Sequence, residues 1–256
     1  MSTTQYTYDH VETMYHKAQS LALKISLNAV KHSGQKKVES LSSFGFGEIA
    51  MLCDKYGCDK GSLDWNSPHP YKWLPHTYAW IYEALLAPKR DLVRHIFECG
   101  IGSPNDPQTA ASPDIRQQIP AGASMRVWRD YFPKAEIYAG DIDRDVLFEE
   151  ERLHTGYIDQ LNPEAIEGFF KEQQVQSYEL MIDDGLHTAE AAITLFSHAH
   201  PYLSADGFYF IEDMPEAYLL TLHESLKPYR KDFDIEFLCM NMPVSPDNNL
   251  IVIRRK

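Results

Sequence analysis

The chain has 256 residues, 44% of them apolar and 12% aromatic, enough for one large α/β domain or two small ones with a sizeable core. Asp and Glu number 37 against 24 Lys and Arg, and the resulting formal charge of −13 repels phosphate backbones and anionic lipid, which argues against nucleic acid as a partner. No stretch approaches about 18 uninterrupted apolar residues, and the N-terminus shows no basic segment leading into an apolar one, which argues against a membrane span and against secretion.

Cys53, Cys58, Cys99 and Cys239 are scattered, and their spacing fits neither zinc nor thioredoxin-like motifs, so a reduced, cytoplasmic setting is expected. Residues 8–31 carry apolar side chains at helical spacing, and "HSGQKK" then breaks the pattern. This predicts an N-terminal helix that either covers the core or pairs with a second subunit as a homo-oligomer. From 43 to 92 the chain is rich in aromatics and turn residues, with a helix expected over 76–86. The mixture suits either a lid over a pocket or a satellite aromatic core.

From residue 93 a regular alternation begins. Strands are expected at "VRHIFECG", "AEIYAGDID", "RLHTGYID", "YELMIDD", "GFYFIEDM", "DIEFLCM" and "NNLIVIRR", with helices at 122–132, 163–173, 188–202 and 215–228. Strands alternating with helices imply βαβ units and a mostly parallel, doubly wound sheet. Two domains follow, a helical and aromatic-rich cap over 1–89 and an α/β domain over 90–256. The basic runs "LKPYRK" and "IRRK" read as solvated faces.

Open α/β sheets bind ligands outside the carboxyl ends of their strands. Acids fall at those ends one after another: Glu98, Asp141, Asp159, Asp183 with Asp184, and Glu212 with Asp213. Within "MIDDGLH" the two aspartates either cap the following helix or, with His187, serve a metal or proton-transfer site. "FECGIGS" places Gly100 and Gly102 where the backbone must turn sharply against a ligand. It lacks the third glycine of the dinucleotide fingerprint and no helix opens directly after it, which argues against NAD and FAD. Asp141 is placed to accept from vicinal ribose hydroxyls, and Asp159 with Gln160 to meet a purine edge, although Asp143 and Asp159 also suit local caps.

Glu98-x-Gly100-x-Gly102, Asp141, Asp159-Gln160 and Asp183-Asp184 resemble, in order and spacing, the class I S-adenosylmethionine-dependent methyltransferases. With "KYGCDKGS", "HTYAWIYE", "GASMRVWRDYF", "MIDDGLH" and "GFYFIEDM", the resemblance is closer to sugar O-methyltransferases of the macrocin and mycinamicin type and to relatives from capsule and O-antigen clusters. It spans roughly residues 54–214. It implies a seven-stranded Rossmann-like sheet under an N-terminal cap. It further implies Glu98, Gly100 and Gly102 beneath the methionine part of the cofactor, Asp141 with Ile142 at the ribose, Asp159 and Gln160 near the adenine, and Asp183, Ser124 and Lys60 on the cofactor side. Mg²⁺ on Asp184, Glu212 and Asp213 is implied as well, with His187 as general base. Tyr71, His76 and Tyr78 are placed at the mouth or in the aromatic packing, and Arg126 and Arg129 on the surface. The loop over 103–121 departs from the shorter turns of the family, and the acceptor is not inherited.

This chemistry is self-consistent. A sugar hydroxyl is a weak nucleophile, a hard cation on oxygen ligands acidifies it, and an imidazole takes its proton. Carboxylates crowded at adjacent strand ends repel one another unless a cation sits among them. Two rivals remain. A cephalosporin hydroxylase-like oxygenase would need a two-histidine, one-carboxylate iron site, for which the sequence has no strong pattern. A non-catalytic cofactor-binding partner would not need Asp184, His187, Glu212 and Asp213 together.

Overall fold

The computed structural model describes residues 47–63, 68–71, 73–102, 121–239 and 247–256. The helix expected over 8–31, most of the loop over 103–121 and parts of the cap segment lie outside the described residues.

Eight strands form one sheet: β1 (His95–Cys99), β2 (Glu136–Asp141), β3 (Glu149–Glu150), β4 (Leu153–Tyr157), β5 (Tyr178–Asp183), β6 (Leu203–Ile211), β7 (Phe233–Cys239) and β8 (Asn249–Arg255). Their order is β3-β4-β2-β1-β5-β6-β8-β7. The pairs β1/β2, β1/β5, β2/β4 and β5/β6 are parallel, whereas β6/β8, β7/β8 and β3/β4 are antiparallel. Seven of these strands are the expected ones. The eighth is the two-residue β3 on the edge, too short to leave a period-two pattern in the sequence.

Among the described residues six α-helices accompany the sheet: α1 (Glu48–Tyr56), α2 (Tyr78–Leu86), α3 (Ala123–Tyr131), α4 (Pro163–Gln173), α5 (Ala189–Ala199) and α6 (Glu216–Leu226). Alternation along each strand sends successive side chains to opposite faces. Ile96, Leu180, Ile182, Phe208 and Phe210 therefore pack with α1, α2 and α3, while Phe97, Cys99, Met181, Tyr209 and Ile211 pack with α4, α5 and α6. Trp80, Tyr82 and Leu86 on α2 are almost fully buried in the first layer, and each large side chain so placed contributes about 1.5–3 kcal/mol of burial.

The helix ends follow local chemistry. Asn162 accepts from the Glu164 and Ala165 amides ahead of Pro163. Thr188 accepts from the Ala191 amide and so caps α5, which leaves both aspartates of "MIDD" free of that task. Glu83 on α2 caps α1 from a distance, accepting from the Gly47 and Glu48 amides at 2.7 and 3.0 Å.

The same alternation sorts the acids. Glu98 lies on the face of Ile96, and Asp184 and Glu212 follow the parity of Ile182 and Phe210, so these three face the layer built by α1 and α2. Asp183 belongs to the other face, with Cys99 beside it in register. Strand order reverses between β1 and β5, which makes the gap at their carboxyl ends the switch point where ligands bind in this architecture.

Candidate active site

Gly100 and Gly102 leave β1 with φ of 91° and 82°, a region other residues rarely adopt. A Cβ on Gly100 would lie 2.0 Å from the Asp184 carbonyl oxygen, so the β1 and β5 loops touch backbone to backbone here. Glu98 is fully buried. Its Oε2 accepts from Ser124 Oγ at 2.9 Å and from Trp128 Nε1 at 3.1 Å, both on α3, while its Oε1 has no hydrogen-bond partner. Burial pushes its carboxyl up to about 7.

At the end of β2, Asp141 accepts from the Ile101 amide at 3.1 Å and the Asp143 amide at 2.9 Å, tying the glycine turn to its own loop, and Ile142 beside it is 62% exposed. Asp159 accepts from the Leu161 amide in a local turn. Gln160 is buried and spends its amide on the protein, donating to Asp183 Oδ1 at 2.6 Å and accepting from the Leu186 amide at 2.8 Å. Asp183, pushed up to about 7 by burial, is thus the partner of Gln160, on the opposite side of the sheet from Asp184.

Lys60 meets three carboxylates of the protein itself. Its ammonium lies 2.5 Å from Asp184 Oδ2, 2.5 Å from Glu212 Oε2 and 3.4 Å from Glu98 Oε1, and the residue is 2% exposed. Burial opposes its charge, yet the three carboxylates outweigh that and hold its pKa well above the ordinary value. Asp184 responds in kind. Burial alone would raise its carboxyl, but Lys60 and the hydrogen bond from His187 hold it well below the usual range. Glu212 also accepts from the Tyr82 hydroxyl. Burial raises its carboxyl, against the pull of Lys60.

Asp213 is adjacent in sequence and turned elsewhere. It has φ of 51°, accepts from the Tyr78 hydroxyl at 2.6 Å, and lies 3.3 Å from His76 Nδ1. His187, with φ of 55°, places Nε2 3.3 Å from Asp184 Oδ1. Burial works against an imidazolium here, but the Asp184 hydrogen bond and the charges of Asp213, Asp184 and Asp183 prevail, raising His187 to about 9.

Asp184, His187 and Asp213 offer ligand atoms that all lie within 4.8 Å of one another. The expected metal set of Asp184, Glu212 and Asp213 is therefore only partly brought together. Glu212 points into Lys60 and Tyr82, and His187 completes the group instead. The carboxylates of Asp184 and Asp213 offer the oxygen ligands that a hard cation such as Mg²⁺ takes, and the His187 imidazole lies beside them. The glycine turn, with Glu98 and Asp141 at neighbouring strand ends, suits an aminoacyl nucleoside.

Sequence reasoning missed Tyr82 and the second-layer task of Tyr78 and His76. The legible signal was the spacing of Tyr78 and Tyr82, four apart on one face of α2, which lets them reach the consecutive acids Asp213 and Glu212. His76 stacks on Tyr78 with ring centroids 4.9 Å apart. Tyr71 instead stacks between His69 and Trp73. Arg126 and Arg129 pair with Glu150 at the surface.

No protein-family model matches the chain. It is 32% identical over 147 residues, 57% of its length and 35% of the relative's, to the 8-demethyl-8-alpha-L-rhamnosyl tetracenomycin-C 2'-O-methyltransferase of Streptomyces olivaceus. Over 172 residues, 67% of this chain and 37% of the other, it is 27% identical to the mycinamicin VI 2''-O-methyltransferase of Micromonospora griseorubida. The chain thus spans little more than a third of the length of these relatives. Among solved structures it superposes on the mycinamycin-pathway methyltransferase MycE in complex with Mg, SAH and mycinamycin VI. The TM-score is 0.57 at 21% identity, covering 81% of this chain and 54% of the other.

Proposed function

We propose that this chain, which has the fold of the class I S-adenosylmethionine-dependent methyltransferases and is related to sugar O-methyltransferases, methylates a hydroxyl of a sugar or sugar-derived acceptor with the help of Mg²⁺. The observation that carries the proposal is the meeting of Asp184, His187 and Asp213 at the ends of β5 and β6, beside the Gly100 turn at the switch point.

When bound, S-adenosylmethionine supplies an activated methyl group on a good leaving group, and the divalent cation supplies the charge that acidifies the acceptor hydroxyl. On the cofactor side, Glu98, Gly100, Gly102, Ser124, Asp141, Ile142 and Asp159 form the floor, while Gln160 and Asp183 brace the two loops against each other. Asp184 and Asp213 hold the cation. His187 Nε2 would take the hydroxyl proton; against burial, the Asp184 hydrogen bond and the charges of Asp213, Asp184 and Asp183 raise it to about 9, and a cation held by Asp184 and Asp213 would offset that pull. The remaining contribution is alignment of acceptor oxygen, methyl carbon and sulfur.

Residues 1–89 are taken as a cap over the transferase domain at 90–256. The acceptor class is a small-molecule glycan, either a natural-product glycoside such as the rhamnosyl compound named for the first relative or a capsule or O-antigen unit. The setting is cytoplasmic, consistent with four free cysteines. Among the described residues no helix is long and apolar enough to cross a membrane.

The test is transfer of labelled methyl from S-adenosylmethionine to a panel of L-rhamnosyl glycosides and nucleotide-linked sugars. Chelator-sensitive labelling of a sugar oxygen is expected, and absence of transfer together with absence of S-adenosylhomocysteine binding would overturn the proposal.

A further inference from the structure

We infer that Lys60 is a built-in cation that fills one of two cation positions in the acidic centre and thereby limits it to a single divalent ion. The inference rests on the reading of Asp184 and Asp213 as a cation site beside His187, and concerns what lies next to it.

Four carboxylates, Glu98, Asp184, Glu212 and Asp213, come from three adjacent strand ends, more than one hard ion needs from side chains when it also keeps water and substrate oxygens. The structure divides them. Glu98 Oε1, Asp184 Oδ2 and Glu212 Oε2 converge on one point, and the Lys60 ammonium occupies it, donating to Asp184 and Glu212 and ion-paired with Glu98 at 3.4 Å. Asp184 Oδ1 turns the other way, toward His187, in the group that includes Asp213. A carboxylate with one oxygen on each of two positive centres is the arrangement that bridges the ions of two-metal sites, where the ions lie about 3.5–4 Å apart. Here one of the two centres is covalently part of the chain.

The buried setting makes this a fixed assignment. A lysine with 2% exposure cannot swing to solvent without leaving Asp184, Glu212 and Glu98 facing one another. Tyr82 closes Glu212 from the opposite side, on α2, and holds its second oxygen away from the Asp213 group. Lys60 also reaches Glu98 on the cofactor floor, so the same ammonium joins the floor to the cation site.

The experiment counts Mn²⁺ bound per chain, by titration calorimetry and by the paramagnetic resonance of free Mn²⁺, on the full chain and on Lys60→Met, Lys60→Arg and Lys60→Met/Glu212→Gln. One ion in the wild type, two in Lys60→Met, and one again in Lys60→Arg and in the double variant are expected. One ion with unchanged affinity in Lys60→Met would overturn the inference, since protonation of Glu212 would then have replaced the ammonium, and would leave the single-ion reading standing. No ion in the wild type with one in Lys60→Met would sink the single-ion reading while supporting Lys60 as the resident cation. No ion in either would sink both. Recovery of folded Lys60→Met only from Mn²⁺-containing buffer counts in favour. Insolubility with and without Mn²⁺, alongside a soluble double variant, counts against, because a divalent ion would then fail to stand in for the ammonium.

Discussion

Tyr78 and Asp213 are joined twice: the phenol donates to Asp213 Oδ1 at 2.6 Å, and the Asp213 amide donates back to the phenol oxygen at 3.2 Å. One side chain thereby fixes both the carboxylate and the left-handed backbone of a residue at the proposed cation site.

Tyr78→Phe keeps the ring and its stack on His76 while removing the hydroxyl. Supporting residues of this kind typically govern about 10- to 100-fold in metal affinity. Calorimetry should show Mg²⁺ or Mn²⁺ binding weakened by that order with S-adenosylhomocysteine affinity unchanged. Equal losses for both ligands would mean that Tyr78 only holds the fold together.

His187→Gln retains a polar side chain but cannot take the acceptor's proton. Turnover should fall by roughly 10²–10⁴-fold, the usual worth of a positioned base, while cofactor affinity stays the same. A variant with near-normal kcat would remove His187 from the proton path.

Gly100→Ala brings a methyl group to 2.0 Å from the Asp184 carbonyl oxygen and 2.7 Å from its carbon, both backbone atoms, at a φ of 91°. Overpacking of this kind costs on the order of 1–3 kcal/mol, and relief would require separating the β1 and β5 loops. Thermal unfolding should show a lowered midpoint, and S-adenosylhomocysteine binding should be lost. An unchanged midpoint with intact binding would contradict the close packing of the two loops.

Glu83 links pH to stability at a place remote from the chemistry. Burial raises its carboxyl from 4.5 to about 7, against the Gly47 and Glu48 amides it accepts from, with Glu48, Arg90 and Tyr131 the charged or titratable groups around it. The folded chain therefore keeps a proton between pH 4.5 and about 7 that the unfolded chain has released, so this contribution to stability is present below pH 4.5, declines as pH rises to about 7, and is flat above. Its full span is roughly 3 kcal/mol. Glu83→Gln keeps an acceptor oxygen and does not titrate, so its unfolding free energy should lose less than the wild type's across that window. Parallel pH profiles would refute the assignment.

Much of the sheet was legible because short apolar strands alternate with helical segments and end in acids, and because "FECGIG" and "MIDD" mark the two strands at the switch point. Parity along β5 also decides which aspartate of the pair faces the site. Three matters were not legible. Lys60 finds Asp184 and Glu212 across 124 and 152 residues, a distance over which spacing carries no signal. Glu212 and Asp213 read as a pair, yet successive residues leave a strand toward different sides, and only the positions of Tyr82 and Tyr78 on α2 show which acid goes where. Gln160 looks like a ligand contact until the fold brings Asp183 to its amide. The sequence called for a cation to relieve the crowded carboxylates and assigned that task to a metal; in the structure Lys60 takes part of it.

The central claim, a cofactor floor adjoining a cation site built on Asp184, is tested most directly by titrating S-adenosylhomocysteine and then Mg²⁺ into the wild type and Asp184→Ala. Cofactor product binding to both proteins, with Mg²⁺ binding to the wild type alone, is the predicted result. Failure of S-adenosylhomocysteine to bind the wild type, or equal Mg²⁺ binding by the two proteins, would contradict it.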